Sequence, residues 1–224
     1  MLYLAALLAF TPQNQSAQYA SELDYKIFGW YGKGKYVVFE AETGGMGGLD
    51  PVVRMVKESA SNKLVKKWVD EDSGEGYLDK ESASWIKANP KSGDGKTVFS
   101  FKGPYFTAAK APAKSLPIAC GFKSGGQTYS LKLDQTNGPK GKDPNTGMTY
   151  QKAKFALKMK KGSGVWKTIH NDAKFDRNSQ AYLIDKVVVS PDGKTVAVVI
   201  GQYNFGFFEG WNIAVERSLI TWKL

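Results

Sequence analysis

Three carboxylates and a group of aromatics are the residues whose types and spacing could do chemistry here. Glu40 and Glu42 lie in "YVVFEAE". Alternation along an extended chain puts both on one face of a strand, about 7 Å apart by strand rise. Glu209 lies in "GQYNFGFFEGW", with Tyr203, Phe205, Phe207, Phe208 and Trp211 around it. Two carboxylates flanking a glycosidic bond can act on it as acid and base or nucleophile. Aromatics in a glycine-bounded loop offer faces on which a sugar or peptide packs. These residues form the candidate ligand-binding set. The competing reading is that the aromatics fold inward and cap the core.

Other reactive types lack partners. His170 is the one histidine, so any Ser-His-Asp or Cys-His arrangement must include it. It follows "WKTI" and is expected at a strand end. Cys120, in "LPIACGF", is the one cysteine and is expected to point into the core; no internal disulfide can form. One histidine and one cysteine do not make a structural zinc site. Ser84 and Lys87 have the S-x-x-K spacing but none of its companion motifs. Asp70, Asp72 and Glu81 take the first, third and twelfth places of a calcium loop, yet Glu75 stands at the sixth, where the turn needs glycine. Two "GKT" triplets suggest a phosphate loop, but that loop needs a glycine five residues before its GK, and Val188 and Pro90 stand there. The sequence therefore predicts no catalytic residue, no cofactor and no metal. It leans towards a non-enzymatic protein, with a carbohydrate-active hydrolase using paired carboxylates as the alternative.

The elements that must position these residues read as strands. Hydrophobic residues make up 42% of the 224, aromatics 13%, and there are 24 glycines. That balance, without long helical periodicity, favours strands joined by glycine turns. "VVVSPDGKTVAVVI" has Pro191 to preset φ, Asp192 to bond its own backbone and Gly193 to take positive φ. "FGWYGKGKYVVFE", "PKSGDGKTVFSF", "GFKSGGQTYSLKL" and "LKMKKGSGVWKTI" repeat the design. The first and last copies agree further, each running strand, turn, strand, glycine-rich loop, strand. If the two units are equivalent, the loops at Gly44 to Gly48 and Gln202 to Trp211 share one face of the protein. The first unit continues into "SASNKLVKK" as an outer strand. The fold class is all-β, antiparallel hairpins in a propeller-like or two-sheet sandwich arrangement with little helix. "DKESASWIKA", Asp79 to Ala88, is compatible with a short helix that Asn89-Pro90 ends. Tyr105 to Pro117 and Thr136 to Thr149 read as loops from their Pro, Gly and Asn content.

Charge is unevenly spread. Ser84 to Lys174 holds 17 lysines, no arginine and four acids, a balance of +13; with +10 overall, the rest of the chain carries −3. Only Arg54, Arg177 and Arg217 are arginines, which excludes the forked contacts on which specific nucleic-acid reading relies. The partner is left open among an envelope glycan, a peptide and an anionic polymer. Leu2 to Phe10 is an apolar run far short of a membrane span. It predicts a signal peptide over 1–20, a single β-rich domain over 21–224, and a periplasmic or secreted address. No later run is long enough to cross a bilayer.

Three segments, "FGWYGKGKYVVFEAETGG", "LPIAC" followed by "YSLKL", and "VVVSPDGKTVAVVIGQYNFGFFEGWNIAVE", resemble a bacterial family of predicted secreted proteins, domain of unknown function 2259. The loop Gly206-Phe207-Phe208-Glu209-Gly210 is one aromatic longer than that family's ending. The resemblance implies export. It assigns no activity and carries no catalytic residue to this chain.

Overall fold

The run "VVVSPDGKTVAVVI" is apolar on consecutive positions rather than alternate ones, and a strand of that kind needs cover on both faces. The computed structural model supplies it. The structure describes residues 21–22, 25–42, 51–71, 76–102, 118–142, 149–175, 179–205 and 213–224. Strands β1 (Ser21–Glu22), β2 (Tyr25–Tyr31), β3 (Tyr36–Glu42), β4 (Val52–Glu58) and β5 (Leu64–Asp70) come first. Helix α1 (Tyr77–Ala88), β6 (Lys91–Gly93), β7 (Lys96–Ser100) and β8 (Ala119–Ser124) follow. The chain continues with β9 (Gln127–Lys142), β10 (Thr149–Lys161), β11 (Lys167–Asn171), β12 (Ser179–Val189), β13 (Thr195–Phe205) and β14 (Ile213–Lys223). They build a central sheet, β1-β14-β13-β12-β7, a helix-side sheet, β5-β4-β3-β2-β6, and a basic sheet, β11-β10-β9-β8. All pairs are antiparallel except β1 with β14.

The all-β reading holds, as a sandwich with a third sheet. On one face of the central sheet Ile184, Val187, Val196 and Val198 meet Leu131, Leu133, Phe155 and Leu157 of the basic sheet. On the other, Val188, Ala197, Val199 and Leu219 meet Trp30, Val37, Phe39 and Ala41 of the helix-side sheet. The far side of that sheet, through Tyr31, Val38 and Val56, packs on Trp85 and Ile86 of α1. The helix falls where "DKESASWIKA" allows it, with Asn89 as its C-cap. Trp30 Nε1 donates to Thr195 Oγ1 at 3.0 Å and pins two layers together.

A bulge re-aims β12. The β12/β13 register shifts between Ile184 and Lys186. The core-facing series towards the basic sheet therefore changes from Tyr182 and Ile184 to Val187 and Val189. Asp185, the residue at the shift, is buried and accepts from Arg217 Nε at 3.2 Å. The guanidinium of Arg217 lies 5.3 Å from the Tyr25 ring centroid.

Two expectations are corrected. "PKSGDGKTVFSF" is not a hairpin: β6 pairs with β2 of the helix-side sheet and β7 with β12 of the central sheet. The glycines there allow close passage between layers. A Cβ on Gly95 would stand 2.5 Å from both the Trp30 ring and the Val189 carbonyl oxygen, and its φ is +78°. Thr136 to Lys142 is not loop either but continues β9, pairing with β10 back to Thr149. A register shift between Gln151 and Ala153 absorbs Gly138-Pro139, since a bulge tolerates the missing proline N–H. Residues 1–20, expected to be a signal peptide, lie outside the described residues, as does Tyr105 to Pro117.

The β4–β5 turn docks on β14 through polar groups. Lys57 Nζ donates to the Leu219 carbonyl and to Asn62 Oδ1; Asn62 Oδ1 also accepts from the Thr221 N–H at 3.1 Å. Thr221 Oγ1 donates to the Glu58 carbonyl at 2.8 Å. Burial lowers the Lys57 ammonium to about 8.

Two measurements test this packing. Gly95→Ala is expected to lose about 3 kcal/mol in urea unfolding, from overpacking plus backbone strain. Gly34→Ala, with φ of +84° but open space around it, should lose only about 1 kcal/mol. Equal losses would contradict the close passage. The second concerns pH. Below pH 8 both folded and unfolded states hold the Lys57 proton, and the cost of burying the charge is fully present. Between 8 and the unfolded value of about 10.4 the folded state has released it first, so stability rises with pH. Wild type is expected to gain about 2–3 kcal/mol over Lys57→Met between pH 7.5 and 10.5. A flat difference would refute the lowered value.

Candidate functional site

The basic sheet turns one face to the core and the other to solvent, and lysine follows that alternation. Along β10, Ala153, Phe155, Leu157 and Met159 are buried, while Lys152, Lys154, Lys158 and Lys160 stand between them. Along β9, Tyr129, Leu131 and Leu133 are buried and Lys132 and Asp134 alternate with them. Lys123 is the outward residue of β8 opposite Thr128. Period two in a half-buried strand forces this segregation. Residues of one sign thus line up about 7 Å apart along the strand.

Register sharpens the field. Lys158 is directly opposite Lys132. Like charges in that position destabilise a sheet. Asp134 answers them: its two carboxylate oxygens accept from Lys132 and Lys158, each at 2.8 Å. Those hydrogen bonds, Lys132 first, hold its carboxyl below the ordinary carboxylate range. Among the described residues Asp134 thus stands amid six lysines on this face: Lys123, Lys132, Lys152, Lys154, Lys158 and Lys160.

Two exposed aromatics border the lysines. Lys160 Nζ is 5.0 Å from the Trp166 ring centroid, and Lys154 Nζ is 4.9 Å from that of Phe175. The Phe175 ring lies flat on Gly138, where a Cβ would come within 2.7 Å. At the β11 edge, His170 Nε2 is 2.9 Å from Asp172 Oδ1, and Asp172 Oδ2 accepts the Phe155 N–H at 3.0 Å. Asp172 thus ties the edge strand to its neighbour and His170 braces Asp172; among the described residues no nucleophile shares that bond.

The residues singled out from the sequence fall elsewhere. Glu40 and Glu42 are on the α1 side of β3, on the face shared with Val38. Glu40 Oε2 accepts from Arg54 at 2.8 Å (Nε) and 2.7 Å (Nη2). Arg54 is buried and also donates to Ser82 Oγ and Asp79 Oδ1, both at 2.7 Å. Glu40 is therefore one end of a clamp between sheet and helix. Tyr203 and Phe205 are not in a loop: they belong to β13, opposite Val215 and Ile213. Phe207, Phe208, Glu209 and Trp211 lie outside the described residues. Trp30 of β2, opposite Val37 near the start of β3, bonds Thr195 at the start of β13, while Tyr25, opposite Ala41, reaches Arg217, opposite Gly201. So β3 and β13 run the same way, and Glu42 and Phe205 end at the same end of the stack.

Ser84 and Lys87 are exposed on α1. Cys120 is half-buried against the core, and burial pushes its thiol up to about 11. Among the described residues no group of three or more His, Cys, Asp or Glu could hold a metal ion. No described helix is long and apolar enough to cross a membrane. The lysine face was hidden in a charge total. Its signal is the alternation in "YQKAKFALKMKK".

Comparison with protein families, curated proteins and solved structures returns no match. The chemistry of the site rests on its own geometry.

The role of Glu40 can be measured. Arg54→Met leaves a mostly buried carboxylate without its cation and is expected to cost about 3 kcal/mol in urea unfolding. Glu40→Gln keeps an acceptor and should cost about 1 kcal/mol. A loss under about 0.5 kcal/mol for Arg54→Met would remove the clamp.

Proposed function

We propose that this chain is a non-enzymatic binding module whose basic sheet engages an anionic glycan-type polymer through its outward face. The observation that carries the reading is the phased row of lysines on the outward face of β8, β9 and β10: Asp134 offsets the Lys132–Lys158 pair, while Lys123, Lys152, Lys154 and Lys160 add to a field of one sign that a polyanion complements. Trp166 and Phe175 support a glycan, because exposed rings beside cations suit sugar faces. Lysine in place of arginine favours screened attraction to repeated charge over forked base recognition. Export to the bacterial envelope belongs to the same proposal, motivated by the apolar run Leu2 to Phe10 and by the family resemblance. The hydrolase reading loses its pairing argument where Glu40 is committed to Arg54.

Heparin chromatography tests this. The protein is expected to bind at low salt and to elute earlier as salt rises. Lys132→Glu with Lys158→Glu should weaken binding at least 10-fold at 50 mM salt with a folded thermal transition. Lys63→Glu in the β4–β5 turn with Lys66→Glu on β5 should leave it within twofold. Unchanged retention of the first pair, or preference for duplex DNA over heparin, would contradict the proposal.

A further inference from the structure

Three glycine turns, one from each sheet, converge at one end of the stack. They are Gly93-Asp94-Gly95-Lys96, which links β6 to β7, Lys123-Ser124-Gly125, which begins the β8–β9 turn, and Ser190 to Gly193 between β12 and β13. Between them lies a cleft of about 470 Å³, within the range of small-ligand sites.

The turns are tied to one another rather than merely adjacent. Ser124 Oγ donates to the Gly193 carbonyl at 3.0 Å, joining basic and central sheets. A Cβ on Gly93 would stand 2.8 Å from Pro191 Cγ, so the helix-side sheet meets the same turn. Ser190 Oγ donates to Asp192 Oδ1 at 2.6 Å and accepts the Thr195 N–H at 2.9 Å, which fixes the third wall. Hydrogen bonds from Ser190 and from the Lys194 N–H hold the Asp192 carboxyl below its ordinary range. Gly125 and Gly126 have φ of +53° and +73°, the two-residue turn whose tip amides take no part in the ladder. A Cβ on Gly125 would meet nothing within 4 Å.

The charge of the cleft is positive. Lys96 and Lys123 border it, and among the described residues no acid pairs with either. The one acid in the lining, Asp94, is paired with Lys91. The Gly193, Lys194 and Thr195 N–H groups are committed within their own turn, so the donors left for an oxyanion are the Lys96 and Lys123 ammonium groups and the tip amide of Gly125. Lys123 also belongs to the outward face of the basic sheet, so the cleft is continuous with the lysine row.

We infer that this cleft is a subsite for an oxyanion-bearing unit, a phosphate, sulfate or carboxylate group, of the polymer that lies along the lysine row. The inference rests on the polyanion reading for the polymer, but not for the anion itself.

Tripolyphosphate, titrated into the full-length ¹⁵N-labelled chain, is the probe. Saturable amide shifts are expected at Gly93–Lys96, Lys123–Gly126 and Ser190–Lys194. Gly125→Asp keeps a residue that tolerates positive φ and places a negative charge in the mouth; binding should fall at least 10-fold. Gly125→Asn should stay within threefold of wild type. Lys96→Ala with Lys123→Ala, at exposed positions, should also weaken binding about 10-fold and covers the case in which the turn variant misfolds. Lys132→Glu with Lys158→Glu should leave tripolyphosphate binding within twofold. Shifts that never saturate, or that fall only on β9 and β10, would overturn the cleft and leave the polymer reading standing. Saturable binding in the cleft by a protein that heparin does not retain would uphold the cleft as an oxyanion site and sink the polymer reading.

Discussion

The structure depends on one constraint: the central sheet must be covered on both faces. Strands β12 and β13 are apolar at consecutive positions, from Val187 to Val189 and from Val196 to Ile200, and every one of these side chains is buried. Exposing either face would leave several large aliphatics in water, each worth about 1.5–3 kcal/mol when buried. Two further sheets are the consequence. Each needs only one apolar face for this purpose, and each puts its second face to a different use.

The helix-side sheet spends its second face on α1, and the join is polar at its centre. Arg54 reaches Glu40, Ser82 and Asp79 from a buried position, and the Phe28 ring lies 4.6 Å from its guanidinium. The basic sheet leaves its second face to solvent. Lysine there costs little in desolvation, but the cross-strand repulsion between Lys132 and Lys158 is not removed by solvent alone, and Asp134 is placed to offset it. The asymmetry of the molecule follows: structural ions on one side, a field of one sign on the other. The glycine turns sit where the layers end, because a Cβ on Gly93 or Gly95 would stand only 2.5–2.8 Å from atoms of the neighbouring layer.

Much of the architecture was legible in the sequence. The turn at Ser190 to Lys194, the hairpin at Gly34 and the helix before Asn89-Pro90 follow from local chemistry that the structure keeps. The similarity of the first and last units was also legible: β2-β3-β4 and β12-β13-β14 form equivalent three-strand units of two sheets packed face to face. What local chemistry could not show was partnership. "SGDGKT" looks like a hairpin turn, yet its two strands join different sheets, and nothing within ten residues says so. Gly138-Pro139 looks like a loop, yet it forms a bulge in β9 opposite Lys152. Glu40 looked available because its partner, Arg54, is one strand away. A count of lysines carries no phase; alternation with Phe155, Leu157 and Met159 is what puts them on one face.

Native-state hydrogen exchange tests the middle-layer claim most directly. If the doubly covered sheet holds the molecule together, amides from Val187 to Val189 and from Val196 to Ile200 exchange last, and only through global unfolding. Slowest exchange in β9 and β10, or in β2 and β3, with the central strands opening earlier, would contradict the account.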